Sequence, residues 1–98
     1  MSLKSVYGLR AIRSVVRQFI IEKGFRPRRV RRGFRIPRAK YLFSYYNEEG
    51  ILVAVFYDKK FDTVLECDDV KKKHNGVLQF TQWDHDVLLS LLEGTDSN

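Results

Sequence analysis

The chain has 98 residues, a net charge of +6, 44% apolar residues and one cysteine, Cys67. This length predicts a single domain over 1–98, and no apolar run reaches the roughly 18 residues that a membrane-spanning helix needs. A lone cysteine excludes an internal disulfide. Because the sequence also shows no secretory pattern, we expect an intracellular protein, cytoplasmic or nuclear.

The first predicted element is a helix over 5–23. Its apolar residues follow helical spacing from Leu9 to Ile20, and its opposite face carries Arg10, Arg13 and Arg17. Ser5 is the predicted cap at the start of the helix, and Gly24 is the predicted left-handed stop at its end.

An arginine-rich segment, 26–40, follows the helix. Seven of its fifteen residues are arginines and one is a lysine. Pro27 and Pro37 are incompatible with a continuous helix there. We therefore expect an arm or an edge strand, since edge strands accept both charge and proline.

The segment 41–81 predicts three or four antiparallel strands. Aromatic residues favour a strand over 41–46, and 51–57 is the most apolar run and the predicted central strand. A third strand is predicted over 63–67 and a fourth over 77–81, after a turn at 74–76.

A closing helix is predicted over 82–94, with Thr81 and Asp84 forming a capping box and 95–98 a frayed tail. The predicted fold class is therefore α+β: an N-terminal helix, a three- to four-stranded antiparallel sheet and a C-terminal helix, packed as two layers.

Charge is distributed unevenly along the chain. Residues 1–49 hold three lysines and ten arginines against three glutamates, a net charge of +10. Residues 50–98 hold five lysines against nine acids, a net charge of −4. This asymmetry indicates a polyanionic partner for the basic half.

The arginine-rich segment is the strongest functional signal. Clustered cations bind a polyanion by releasing its counterions, and the planar fork of arginine can bind two phosphate oxygens. We expect a small nucleic-acid-binding protein, a regulator or accessory factor, whose partner is DNA or RNA. The candidate contacts are Arg26, Arg28, Arg29, Arg31, Arg32, Arg35, Arg38, Lys40, Arg10, Arg13, Arg17, Phe34 and Tyr41.

Two other functions remain open from the sequence. The same arginines could dock an acidic protein surface. The spacing of Asp69 and Lys71, with Asp58 upstream, also occurs in metal-dependent nucleases, where carboxylates hold the metal and the lysine helps to activate water.

A non-enzymatic function is the favoured prediction, with no cofactor and no metal site. The two histidines, His74 and His85, form no familiar ligand spacing with Cys67, which we expect to pack as a small apolar residue. The oligomeric state is left open, with a homodimer among the alternatives.

Overall fold

The computed structural model describes residues 2–30 and 35–95. Arg31, Arg32, Gly33, Phe34 and most of the tail predicted to fray lie outside the described residues. The elements are α1 Leu3–Tyr7, α2 Leu9–Glu22, β1 Ala39–Tyr46, β2 Leu52–Asp58, β3 Thr63–Asp68, β4 Thr81–Gln82 and α3 His85–Thr95.

The four strands form one antiparallel sheet in the order β1-β2-β3-β4, with helices before and after it. This confirms the predicted α+β fold. Every residue of β2 is buried, as expected for an inner strand that is covered on both faces. Within the described residues, no helix is long and apolar enough to cross a membrane.

The helices cover one face of the sheet. The core there contains Ile12, Val16 and Ile20 of α2, together with Leu88 and Leu92 of α3. The ring of Phe19 packs edge-on against Trp83, with the ring centroids 5.2 Å apart. The helical spacing in the sequence therefore identified the buried face of α2 correctly.

The opposite face of the sheet carries a smaller core and, among residues 2–30 and 35–95, no helix. Ala54, Phe56 and Cys67 are buried there, and Ile36 and Phe80 pack over them. The confirmed burial of Cys67 raises the pKa of its thiol to about 11, so the reactive thiolate is scarce at neutral pH.

The N-terminal helix departs from its prediction at two points. It begins at Leu3 with Ser2 as its cap, so the predicted cap Ser5 is wrong: the backbone N–H of Ser5 instead donates to the Ser2 hydroxyl. Gly8 then divides the helix, because its φ of 81° and ψ of 153° are not helical. Glycine adopts such a conformation without the steric penalty of a Cβ atom.

The predicted stop at Gly24 is confirmed, with φ at 96°. The N–H of Gly24 donates to the carbonyl of Ile21, and the N–H of Phe25 donates to that of Ile20. These two bonds form a Schellman motif that ends α2 and redirects the chain.

The fourth strand and the last helix begin later than predicted. Asn75 and Gly76 form the predicted turn, but it closes a local bridge between His74 and Val77. The sheet pairing moves on to Thr81–Gln82. Asp84, not Thr81, then caps α3, because its carboxylate accepts from the N–H groups of Asp86 and Val87.

Asp62 fastens α1 to the turn between β2 and β3. Its carboxylate accepts from the backbone N–H of Leu3 at 2.7 and 2.8 Å and from the buried hydroxyl of Tyr57. An anion at the start of a helix is favoured by the helix dipole and by its unpaired N–H groups.

Replacing Asp62 should therefore destabilise the fold. Asp62 has a φ of 52°, so Asp62→Gly relaxes the backbone and removes only the carboxylate. We expect its free energy of unfolding in urea to fall by about 2–3 kcal/mol. Asp62→Asn, which keeps an acceptor oxygen, should lose less. A glycine variant as stable as the wild type would contradict this role.

The raised pKa of Tyr57 predicts that the fold becomes less stable at alkaline pH. Burial and the hydrogen bond to Asp62 raise the pKa of Tyr57 to about 12, whereas a tyrosine in the unfolded chain titrates near 10. The folded state thus retains a proton that the unfolded state loses, so this contribution is intact below pH 10 and declines between about pH 10 and 12. Over that pH range, the free energy of unfolding in urea should fall less steeply in Tyr57→Phe than in the wild type. An equally steep fall in both proteins would contradict this role of Tyr57.

Candidate nucleic-acid interface

The arginine-rich segment runs beside the free edge of β1. After the Schellman motif, the ring of Phe25 packs on Tyr45 with the centroids 5.2 Å apart. Arg28 and Ser44 then exchange both backbone hydrogen bonds, at 2.6 and 2.8 Å. The predicted edge strand is thus limited, within the described residues, to one bridge, but it lies at the edge of the sheet as expected.

A β-bulge in β1 positions a further residue, Tyr41, to contact the arginine-rich segment. Tyr41 pairs with Phe56 and Phe43 pairs with Val55, which leaves Leu42 as the extra residue. The bulge moves Tyr41 to the face of the sheet opposite Phe43. Tyr41 then shares a face with Ser44, and their hydroxyl oxygens lie 2.7 Å apart.

Tyr41 holds the arginine-rich segment, 26–40, which we call the arm, through its hydroxyl group. The hydroxyl donates to the carbonyl of Val30 at 2.9 Å and accepts from the N–H of Val30 at 3.2 Å. The ring packs edge-on against Phe56. Of the two aromatic contacts predicted from the sequence, Tyr41 is therefore engaged by its own chain, and Phe34 lies outside the described residues.

Most described cations of the arm are exposed. Arg26, Arg28, Arg29, Arg35 and Lys40 have exposed side chains and form no ion pair within the described part of the chain. Arg28 lies over the ring of Tyr46, 5.6 Å from its centroid. The arm therefore presents guanidinium groups to solvent.

Arg38 is the exception. Its Nε lies 3.4 Å from the Asp58 carboxylate, which is fully buried, while half of the Arg38 side chain, 51%, is exposed. Burying a carboxylate is costly unless it is paired and hydrogen-bonded. Arg38 supplies the pairing, and the N–H groups of Lys60 and Phe61 supply hydrogen bonds.

Many acids of the second half are engaged elsewhere. Glu66 accepts from the Tyr45 hydroxyl at 2.7 Å, and Asp68 accepts from the backbone N–H of Lys71 at 2.6 Å. Asp62 and Asp84 hold the ends of α1 and α3. None of these four carboxylates forms an ion pair with a described cation of the arm.

The basic face of α2 reaches the same edge. The Nε of Arg13 donates to the carbonyl of Leu42, the bulged residue, at 3.2 Å. Arg10 and Arg17, one turn before and one turn after, are exposed and share the helix face of Arg13. The structure thus places Arg13 against β1, the strand that also holds Arg28 of the arm.

The residues of the nuclease hypothesis are not brought together. Asp58 ends β2, whereas the N–H of Asp69 donates to the carbonyl of Leu52 at the other end of β2. Six residue steps of strand correspond to about 20 Å, too far for two carboxylates to share one ion. Lys71 follows Asp69 by two residues, and its backbone N–H donates to Asp68. Among the described residues, no group of three histidine, cysteine or acidic side chains could hold a metal.

One exposed aromatic beside the arm was missed from the sequence. Phe61 has 52% of its surface exposed, and Arg38 and Lys60 lie 5.7 and 5.4 Å from the centroid of its ring. The available signal was the run Lys59-Lys60-Phe61 in a turn, two cations beside an aromatic residue.

Comparison with known protein families, with curated proteins and with solved structures finds no match for this chain.

Removing the Tyr41 hydroxyl should loosen the arm while the sheet stays folded. In Tyr41→Phe, Val30 and the buried Ser44 hydroxyl lose a partner, so we expect about 1–2 kcal/mol less stability. The amides of Arg28 and Ser44 should exchange faster with deuterium. Tyr46→Phe is the matched control. Unchanged exchange in Tyr41→Phe would show that the arm is held by other contacts.

Proposed function

We propose that this protein binds nucleic acid, without catalysis, along a strip that we call the cationic edge. The strip contains exposed or half-exposed cations of the arm and of α2: Arg26, Arg28, Arg29, Arg35, Arg38, Lys40, Arg10, Arg13 and Arg17. Arg31 and Arg32 join this proposal on sequence alone.

The observation that supports this proposal is the absence of ion pairs to most of these cations within the described residues. A cation already paired with a carboxylate gains little from a phosphate, whereas an unpaired one releases a counterion from the nucleic acid when it binds. Of the arm's described cations, only Arg38 has a carboxylate partner. The remaining guanidinium groups can each bind two phosphate oxygens.

The form of the cationic edge suits a linear polyanion. Its cations lie on the arm, which is bridged to the edge strand β1 at Arg28, and on one face of α2, which contacts β1 through Arg13 and Leu42. Phosphates repeat at short, regular intervals along a nucleic-acid strand, so an elongated strip can contact several in succession. An acidic protein surface is the alternative partner for the same strip.

Salt dependence tests the proposal. If about six arginines neutralise phosphates, the logarithm of the affinity for duplex DNA should fall with the logarithm of salt concentration at a slope near −5. Fluorescence anisotropy of a labelled duplex over a range of salt concentrations measures this slope. Affinity independent of salt would refute the proposal.

Two triple variants with the same loss of charge locate the contact. The first variant changes three cations of the cationic edge to glutamine: Arg26, Arg29 and Arg35. Its slope of log affinity against log salt concentration should become shallower by about 2.7. The second variant changes three cations outside the cationic edge to glutamine: Lys71, Lys72 and Lys73. It should leave the slope unchanged. An equal effect of both variants would indicate that only net charge matters. Competition by polyglutamate as strong as by DNA would favour the acidic protein partner.

A further inference from the structure

The turn between β2 and β3 presents an aromatic ring beside the cationic edge. Phe61 is half exposed, at 52%, and Arg38 and Lys60 lie within 6 Å of its ring centroid. A phenylalanine has no polar group that benefits from water, and a cation beside an exposed ring can contact the phosphate of a base that stacks on that ring.

Hydrogen bonds hold the backbone of this turn in place before any ligand binds. The Asp58 carboxylate accepts from the N–H of Phe61 at 3.3 Å and from that of Lys60 at 2.7 Å. On the other side, Asp62 is fixed by Leu3 and Tyr57. The N–H of Lys59 donates to the carbonyl of Arg38, which ties the turn to the end of the arm. A turn whose backbone is already ordered loses less conformational freedom when it binds a ligand.

We infer that Phe61 is a stacking site for an unpaired base, and that Lys60 contacts a phosphate beside that base. This inference rests on the proposed function and narrows it to single-stranded nucleic acid. Bases inside a duplex already stack on their neighbours and cannot reach a side chain, whereas every unpaired base offers a free face. DNA and RNA both offer this chemistry.

The test compares Phe61→Ala with the wild type on four labelled ligands with equal numbers of phosphates: oligothymidylate, oligouridylate, a duplex and an abasic single strand. We expect affinity for at least one of the two base-carrying single strands to fall between about fivefold and 150-fold, the range measured for loss of one stacked base. Affinity for the duplex and for the abasic strand should not change. The response of the two single strands distinguishes a DNA site from an RNA site.

Three further variants separate stacking from other effects. Phe61→Tyr should bind as the wild type does, and Phe61→Leu should bind as weakly as Phe61→Ala. Val87→Ala, which truncates another exposed apolar side chain, should change nothing. Urea unfolding of each variant should show that it remains folded.

The outcomes distinguish this inference from the proposed function. If the wild type binds with the expected salt dependence but Phe61→Ala binds all four ligands equally well, the stacking site is refuted and the cationic edge stands. The stacking site is also refuted if Phe61→Ala weakens binding of the abasic strand as much as binding of the others. If the wild type binds none of the ligands, the proposed function itself is refuted.

Discussion

A single irregularity in one strand, the β-bulge at Leu42, determines how the basic surface is assembled. The extra residue moves Tyr41 to the face it shares with Ser44, so that the Tyr41 hydroxyl can reach both Ser44 and Val30. It also leaves the Leu42 carbonyl accepting from Arg13. Without the bulge, Tyr41 would point toward the helices, because side chains alternate between the two faces of a strand. The arm and the basic face of α2 are therefore both attached to β1 at one place.

The fold follows from patterns that are visible in the sequence, and its errors have local causes. Apolar periodicity identified α2, and the apolar run at 51–57 identified the buried inner strand. The predicted helix runs across Gly8 because the apolar spacing continues there, although the backbone of Gly8 leaves the helical region. The fourth strand begins later than predicted because the Asn75–Gly76 turn closes its own bridge instead of returning the chain directly to β3.

The sequence predicted the positive charge of the candidate site but not the contacts that its residues make. The density of arginines in the sequence identified the arm, and the exposed described members are those the sequence named. Which arginine is paired depends on Asp58 being buried beside Arg38, a contact between residues twenty positions apart. A bulge has no reliable sequence signature. The sequence therefore could not show that Tyr41 holds the arm instead of contacting a base. Phe61 is placed beside Arg38 only by the pairing of β1 with β2.

The most direct test of the cationic edge is to map, by NMR, which backbone amides shift when a short single-stranded oligonucleotide is titrated into the labelled protein. We expect the largest shifts along the arm, at Arg10 to Arg17 and in the turn at Lys59 to Phe61, and these shifts should diminish as salt is added. Shifts concentrated at Lys71 to Lys73 or on α3, with the arm unaffected, would contradict the proposed interface.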